Sequence, residues 1–243
     1  MSGESGKSPR AYASILPDYR GTKRYALHIK GLAYNVEWVE APDIAATMKK
    51  IGALPTGMRA GQPLYTCPVI FDPATGTILS DSPKIAQYLD TQYPATPALL
   101  PASSRALQEA FLETYLPNRI RAPIIHLVVR MSAKQFSPRG AEHFRCSLEL
   151  ETGIPFEAIG GRAEEREALL VKVANAFEEL GKWKGDGLFV TGEQVSFVDV
   201  TIAAHLRRLQ KSVGEDEWET VRKAIEPRWG GFMRAFGKWG GNS

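Results

Sequence analysis

The sequence predicts a chain in two parts, a mixed α/β unit followed by an all-α unit. Three observations predict it. Strand patterns, alternating or continuous runs of β-branched and aromatic residues, occur only before residue 80. A proline-rich connector, YPATPALLPASS (93–104), then interrupts the pattern. Beyond it, apolar residues recur at helical spacing throughout. The expected organisation is a flexible tail over 1–10, the α/β unit over 11–93, a linker over 94–104 and the helical unit over 105–243. A chain of 243 residues with 44% hydrophobic content can bury a substantial core in such a pair.

Taken in order, the first ten residues, MSGESGKSPR, are polar and rich in glycine and serine. They hold no apolar run of the kind a signal peptide needs, so a cytoplasmic location is expected. Tyr12 to Leu16 is the candidate first strand. Thr22 to Leu32 reads as helix, ended by Lys30-Gly31. Tyr34, Val36 and Trp38 alternate with Asn35 and Glu37, which reads as a half-buried strand. Pro42 to Ile51 reads as a short helix, with proline at its start and Gly52 past its end. Residues 53–66, with Gly57, Gly61 and Pro63, read as a surface loop. Val69–Phe71 and Thr77–Leu79 flank the turn Asp72-Pro73-Ala74-Thr75-Gly76 and read as a hairpin. Ile85, Tyr88 and Leu89 then recur at helical spacing. Pro83 suits the first helical position, which makes Ser82 the expected N-cap.

In the second half, Arg105 to about Met131 reads as one long helix, bent at Pro117 and Pro123. Gly140–Leu150 and Arg162–Leu180 read as two more. Ser196-Phe197-Val198-Asp199 fits a capping box, which assigns Asp199 a structural role. Trp218, Trp229 and Trp239 are expected to pack against the helices.

Composition excludes several classes. There are 30 basic against 27 acidic residues and no dense basic run, which argues against nucleic acid. The longest apolar runs, such as IIHLVV (124–129), fall far short of the ~20 residues that span a bilayer, so no membrane partner is expected. Cys67 and Cys146 are the only cysteines. They form neither a CxxC nor a Cys/His metal spacing, so no metal is expected. His28, His126, His143 and His205 likewise share no metal spacing.

One stretch carries chemistry. A helix beginning at Ser82-Pro83 presents unpaired N–H groups and a partial positive charge, which suit a carboxylate. Asp81 beside it suits an ammonium. An amino acid has both groups. Pro68 has two readings: an ordinary proline at a strand start, or a cis-proline that turns the backbone of Cys67 outward toward an extended peptide.

The order Pro-Val-Ile, hairpin, Ser-Asp-Ser, helix ending in Tyr-Leu-Asp resembles the second half of the thioredoxin-like domain of glutathione S-transferases. RYALHIKGLAYNVEWVEAPDIAATMKKIGALPT (24–56) is similar to the middle of that domain. HFRCSLELETGIPFEAI (143–159) and LFVTGEQVSFVDVTIAAHLRRL (188–209) are similar to the family's helical domain. The resemblance is nearest to the fungal FuA class, kin of glutathione-dependent etherases, and covers roughly residues 22 to 240. It implies a thioredoxin-like domain, then a helical bundle with a hydrophobic substrate pocket, and a homodimer. It implies glutathione as co-substrate and a hydrophobic small molecule as the second partner.

By that resemblance, Cys67, before the cis Pro68, pairs its main chain with the glutathione cysteine. Asp81 and Ser82 hold the γ-glutamyl end, and Lys50, or its neighbour Lys49, the glycine carboxylate. Phe111, Tyr115, His126 and Arg130 line the substrate pocket. Relatives place a serine, in a Trp-Ser-Pro setting, just after the first strand to stabilise the thiolate. Here that segment reads SILPDYRGTKRYAL, and counting back from Leu27 puts Pro17 at the serine position. The candidate catalytic hydroxyls are therefore Ser14, Tyr19 and, third, Tyr12. The departure implies weak activity with generic electrophiles, or a protein that binds glutathione or a hydrophobic metabolite with little turnover. A specialised biosynthetic lyase or isomerase is a further alternative.

Overall fold

The computed structural model describes residues 9–14, 21–59 and 61–239. The first half is built on a four-stranded sheet of order β2-β1-β5-β6. Strand β1 (Arg10–Ser14) pairs in parallel with β2 (Asn35–Val39) and antiparallel with β5 (Val69–Asp72), which pairs antiparallel with β6 (Thr77–Ser80). Helix α1 (Gly21–Ile29) connects β1 to β2. After β2 come a 3-10 turn (Ala41–Asp43) and α2 (Ile44–Ile51), and after β6 comes α3 (Ser82–Gln92). This is the thioredoxin-like arrangement. Alternation along the strands divides the core. Ala11, Ile70 and Leu27 meet Ile85 and Leu89 on the α1/α3 side. Val39 and Val69 meet Met48 and Ala53 on the α2 side.

Several expectations shift here. The first strand begins at Arg10, inside the segment read as tail, because the chain pairs with β2 from there: the Asn35 amide donates to the Pro9 carbonyl at 3.0 Å. Trp38 is exposed and Val39 buried, since β2 is the sheet edge and only its last residue reaches under α2. The loop over 53–66 contains a two-stranded ribbon, β3 (Gly57–Arg59) with β4 (Gln62–Leu64). Three-residue strands with Pro63 in one of them leave no alternating signal to read. Gly52 closes α2 with φ 82°, the left-handed cap its sequence position suggested.

The second half is helical. A single rod runs from α4 (Arg105–Ala110) through a π-helical segment (Phe111–Arg121) into α5 (Ala122–Ala133). Pro117 has no N–H to donate, and around it the pattern widens to five-residue bonds, such as Ala122 N–H to the Pro117 carbonyl. Then follow α6 (Pro138–Thr152), α7 (Ala163–Lys184), α8 (Phe197–Ser212) and α9 (Glu215–Trp239). The capping box at α8 is present. Ser196 accepts from the Asp199 amide, and Asp199 accepts from the Ser196 amide at 2.8 Å. Burial pushes the Asp199 carboxyl up, and hydrogen bonds from Ser196 and the Val190 amide oppose it. Trp229 is fully buried, donating from Nε1 to the Phe177 carbonyl at 2.9 Å, while Trp218 and Trp239 pack at the edge of the same core.

The connector is held by side chains. Lys30, at the end of α1, is completely buried. Its ammonium pairs with Asp90 of α3 at 2.8 Å and donates to Thr96 Oγ1 at 2.7 Å and the Pro97 carbonyl at 3.0 Å. The Asp90 carboxylate also accepts from the Leu99 amide at 3.0 Å and the Leu100 amide at 2.7 Å. All three ammonium protons and both carboxylate oxygens are used. Removing one partner would strand the other charge in the interior, which costs about 3–5 kcal/mol. Lys30→Met should therefore lower the unfolding free energy by about that amount in urea denaturation at pH 7. A loss below about 1 kcal/mol would show that the pair is not a determinant of the fold.

Candidate functional site

Strand register gathers the candidate residues on one edge of the sheet. Ser14 ends β1 opposite Val39, the last residue of β2. Tyr12 faces Val69, the first residue of β5, and Val69 faces Ser80, the last residue of β6. The antiparallel pairing of β1 with β5 ends at Tyr12–Val69, two residues before Ser14 on one strand and two residues after Cys67 on the other. The edge thus carries, in order, the ends of β2 and β1, then Cys67-Pro68, then Ser80-Asp81-Ser82. The Cys67–Pro68 bond is cis, and Cys67 is half-buried. Helix α2 lies across this edge. It starts beside Val39, and the residues after it reach β6, where the Ser80 hydroxyl donates to the Leu54 carbonyl at 3.0 Å. Tyr19 lies outside the described residues.

Asp81 and Ser82 occupy a turn with an unusual backbone. Asp81 has φ 82° and ψ 121°. Glycine alone adopts positive φ at little steric cost. The N-cap is Asp81 rather than the expected Ser82, because the Asp81 carbonyl already accepts the Ile85 amide at 2.9 Å. Ser82 is then the first helical residue. Its hydroxyl makes no hydrogen bond among the described residues, and the first-turn N–H groups around it have no intrahelical acceptor. Asp81 lies 3.8 Å from Lys84 Nζ. A free hydroxyl, a helix N-terminus and a carboxylate are therefore presented side by side.

Lys49 and Lys50 are exposed in the last turn of α2, with Lys49 Nζ 5.5 Å from the centre of the Tyr65 ring. Helix α6 adds a feature the sequence did not signal. At one end Arg139 pairs with Asp43 and, at 3.6 Å, with Glu40, both just past β2. At the other end Glu151 pairs with Arg59 of the ribbon at 3.2 Å. These pairs join residues remote in sequence, so no local pattern exposes them.

Of the four residues expected to line one pocket, Phe111 and Tyr115 stack on each other, and His126 and Arg130 each line a cavity. Tyr115 turns toward α7, donating to the Ala176 carbonyl at 2.8 Å, and stacks on Phe111. Burial, then Glu179, pushes its phenol up to about 12. His126 lines a cavity of about 320 Å³ with Arg119 and Lys172. Arg130 lines another of about 410 Å³ with Gly160, Gly161 and Lys211. Gly160 has a structural reason: at φ 56° a Cβ would sit 2.0 Å from the His126 carbonyl oxygen. His205 is half-buried on α8, where burial and the neighbouring Arg208 and Arg121 push it down, toward the neutral form. Among the described residues no three His, Cys, Asp or Glu side chains gather as a metal site would require, and no helix is long and apolar enough to cross a membrane.

Comparison with known proteins points to one family. A family model described as the glutathione S-transferase N-terminal domain matches residues 23–92, and one described as the C-terminal domain matches residues 106–239. The chain is similar to the glutathione S-transferase CsGST63524 of Ceriporiopsis subvermispora, solved in complex with glutathione. The identity is 32%, the TM-score 0.89, and 97% of this chain and 99% of that chain are covered. It is similar to the glutathione transferase GSTFuA3 from Phanerochaete chrysosporium at 34% identity and TM-score 0.87, over 98% of this chain and all of that one. A second Ceriporiopsis subvermispora enzyme, CsGST83044, also solved with glutathione, matches at 30% identity and TM-score 0.87, over 95% of this chain and 98% of that chain. No curated protein matches the chain.

The backbone of Asp81 yields a test of its own. A non-glycine residue in a sparsely populated region costs on the order of 1–3 kcal/mol, and glycine regains roughly 0.5–1 kcal/mol less than that through its looser unfolded state. Asp81→Gly should stabilise the protein by about 1 kcal/mol in urea denaturation. A destabilised variant would show instead that the carboxylate and its Lys84 contact hold the turn.

Proposed function

Because the chain belongs to the glutathione S-transferase family, we propose that it binds glutathione along this edge and delivers the thiol to a hydrophobic electrophile, by conjugation, ether cleavage or reductive transfer. The observation that carries the reading is the convergence of the cis Cys67–Pro68 bond with Asp81-Ser82 at the start of α3. The α-carboxylate of the γ-glutamyl group meets the Ser82 hydroxyl and the helix N-terminus, and the ammonium meets Asp81. The cysteinyl backbone runs alongside Cys67 as an added strand would. Lys50 or Lys49 takes the glycine carboxylate.

The thiol then lies toward the end of β1. Free thiol has a pKa of about 8.5, so ~3% is thiolate at pH 7. Two features favour ionisation. Helix α1 has no acidic residue in its first turn, and its positive end favours an anion. A hydroxyl from Ser14 or Tyr19 donates to the sulfur. The thiol's proton passes to solvent, and the thiolate attacks the electrophilic carbon of the second substrate, forming a C–S bond as the leaving group departs with the electron pair of the bond it breaks.

A second reading, a glutathione-binding protein with little turnover, is favoured by one observation: Pro17 falls where relatives place the activating serine. One set of titrations separates the two. Glutathione should bind the parent in calorimetry, and Ser82→Ala should weaken it about tenfold or more, the loss of one charge-assisted hydrogen bond of ~1.5–3 kcal/mol. Thiolate absorbance against pH should then show bound glutathione ionising one to two pH units lower than free glutathione. Ser14→Ala reverses that shift if Ser14 is the donor, and Tyr19→Phe if Tyr19 is. A bound thiol that ionises as it does in water rejects the transferase in favour of the binding protein. Unaltered glutathione affinity in Ser82→Ala rejects the site.

A further inference from the structure

We propose that α6 is a positioning strap: its two end charges hold α2 and the β3–β4 ribbon, the wall of the glutathione edge, so that ionic strength sets how firmly that wall grips a ligand. The effect on the ligand rests on the glutathione reading above; the effect on the wall does not. The wall is lightly built. Helix α2 buries a single residue, Met48. The ribbon forms a sheet separate from the four-stranded one, and a two-stranded hairpin alone is marginally stable in water. Yet this wall carries Lys49 and Lys50 and, through the Leu54 carbonyl, meets Ser80 beside Asp81.

Helix α6 runs alongside the wall. It packs against the 3-10 turn at 41–43 that leads into α2. Arg139, in its first turn, pairs with Glu40 before that turn at 3.6 Å and with Asp43 at its end. Glu151, in its last turn, pairs with Arg59 of the ribbon at 3.2 Å. One helix thus holds the wall at its start and at its end. That helix rests on a footing of its own. Phe144 and Leu148 pack with Val129, Phe156 and Ile159 in a small cluster apart from the main helical core.

The end charges of α6 run against its own dipole. A helix carries partial positive charge at its N-terminus and partial negative charge at its C-terminus, so a cation in the first turn and a carboxylate in the last are both unfavourable. Helix α6 has no acidic residue in its first turn and no basic residue in its last. Arg139 and Glu151 therefore weaken the helix that bears them, and their favourable contacts lie in the other half of the chain. Pairs between partly exposed groups are weak and are screened by salt. When they part, the adverse end charges remain, α6 frays from both ends, and the wall loses both holds together.

The test is amide hydrogen exchange on the full chain without ligand. The double variant Arg139→Gln with Glu151→Gln removes both holds and both adverse end charges, so α6 itself is not weakened and the thermal midpoint stays level. Exchange across α2 and the ribbon should rise about threefold or more, the loss expected of weak exposed pairs, while α8 is unchanged. In about 0.5 M potassium chloride the parent should exchange like the double variant, which should not respond further. Arg59→Glu combined with Glu151→Arg, which rebuilds the pair with its charges exchanged, should restore protection of the ribbon. Glutathione should dissociate from the double variant about threefold faster or more in stopped-flow displacement. Equal exchange across α2 and the ribbon in parent and double variant overturns the proposal. So does a salt response that persists undiminished in the double variant, and so does loosened exchange with an unchanged dissociation rate. Loosened exchange with no glutathione bound by either protein upholds the strap and rejects the glutathione reading.

Discussion

The buried pair of Lys30 and Asp90 fixes how the two halves of this chain meet. An ammonium without solvent is tolerable only when every proton has an acceptor, and Lys30 finds its acceptors in α3 and in the connector. That requirement places residues 96 and 97 against α1, and Asp90 then captures the amides of Leu99 and Leu100. The Leu99 carbonyl, so positioned, accepts the Phe197 amide at 2.8 Å and the Gln108 side chain at 3.3 Å, and Gln108 in turn accepts the Val198 amide. The start of α8 therefore draws partners from the connector as well as from its own capping box. With α8 placed, Tyr25, Ala26 and Ile29 of α1 close onto the helical core. A single polar chain leads from the sheet to the centre of the bundle.

The same frame stiffens this edge of the sheet. Asp81 holds its unfavourable backbone because β6 pins it from one side and α3 from the other. Across the edge, α6 is tied at both ends by ion pairs to the segments flanking β2 and the ribbon. These pairs are exposed and individually weak. Their effect is geometric: they set where a helix with a single buried residue, Gly140, comes to rest.

Much of this was legible in the residues, and the parts that were not share a cause. The hairpin at 69–80, the cap at Gly52 and the box at Ser196–Asp199 are local devices, written within a few consecutive positions. The Ser80-Asp81-Ser82 turn was found because its chemistry is contiguous. What escaped depends on partners far away in sequence. Arg139 and Glu151 carry no local mark of their contacts, and β2 reads as alternating until its place at the sheet edge is known. The relative placement of Phe111, Tyr115, His126 and Arg130 is hidden for a different reason. Placing Phe111, Tyr115, His126 and Arg130 on one face assumes 3.6 residues per turn throughout. The 11-residue π-helical segment between them takes up roughly one residue more in each turn, which swings the following face by about half a turn. Pro117 is the sequence mark of that change, and its effect on phase is invisible without the hydrogen bonds.

His28, near the end of α1, shows how far such a placement reaches. Its Nδ1 lies 2.8 Å from the carbonyl oxygen of Trp239, and a carbonyl can only accept, so that nitrogen carries the proton. Nε2 is left to accept from the Tyr34 hydroxyl at 3.1 Å. The tautomer of this imidazole is thus dictated by a residue 211 positions away. Shortening α9 by one turn would remove that acceptor and leave Tyr34 as the ring's hydrogen-bond partner, while Lys30 still holds the end of α1. The position of the C-terminal helix is thus read by an imidazole in the first half of the chain.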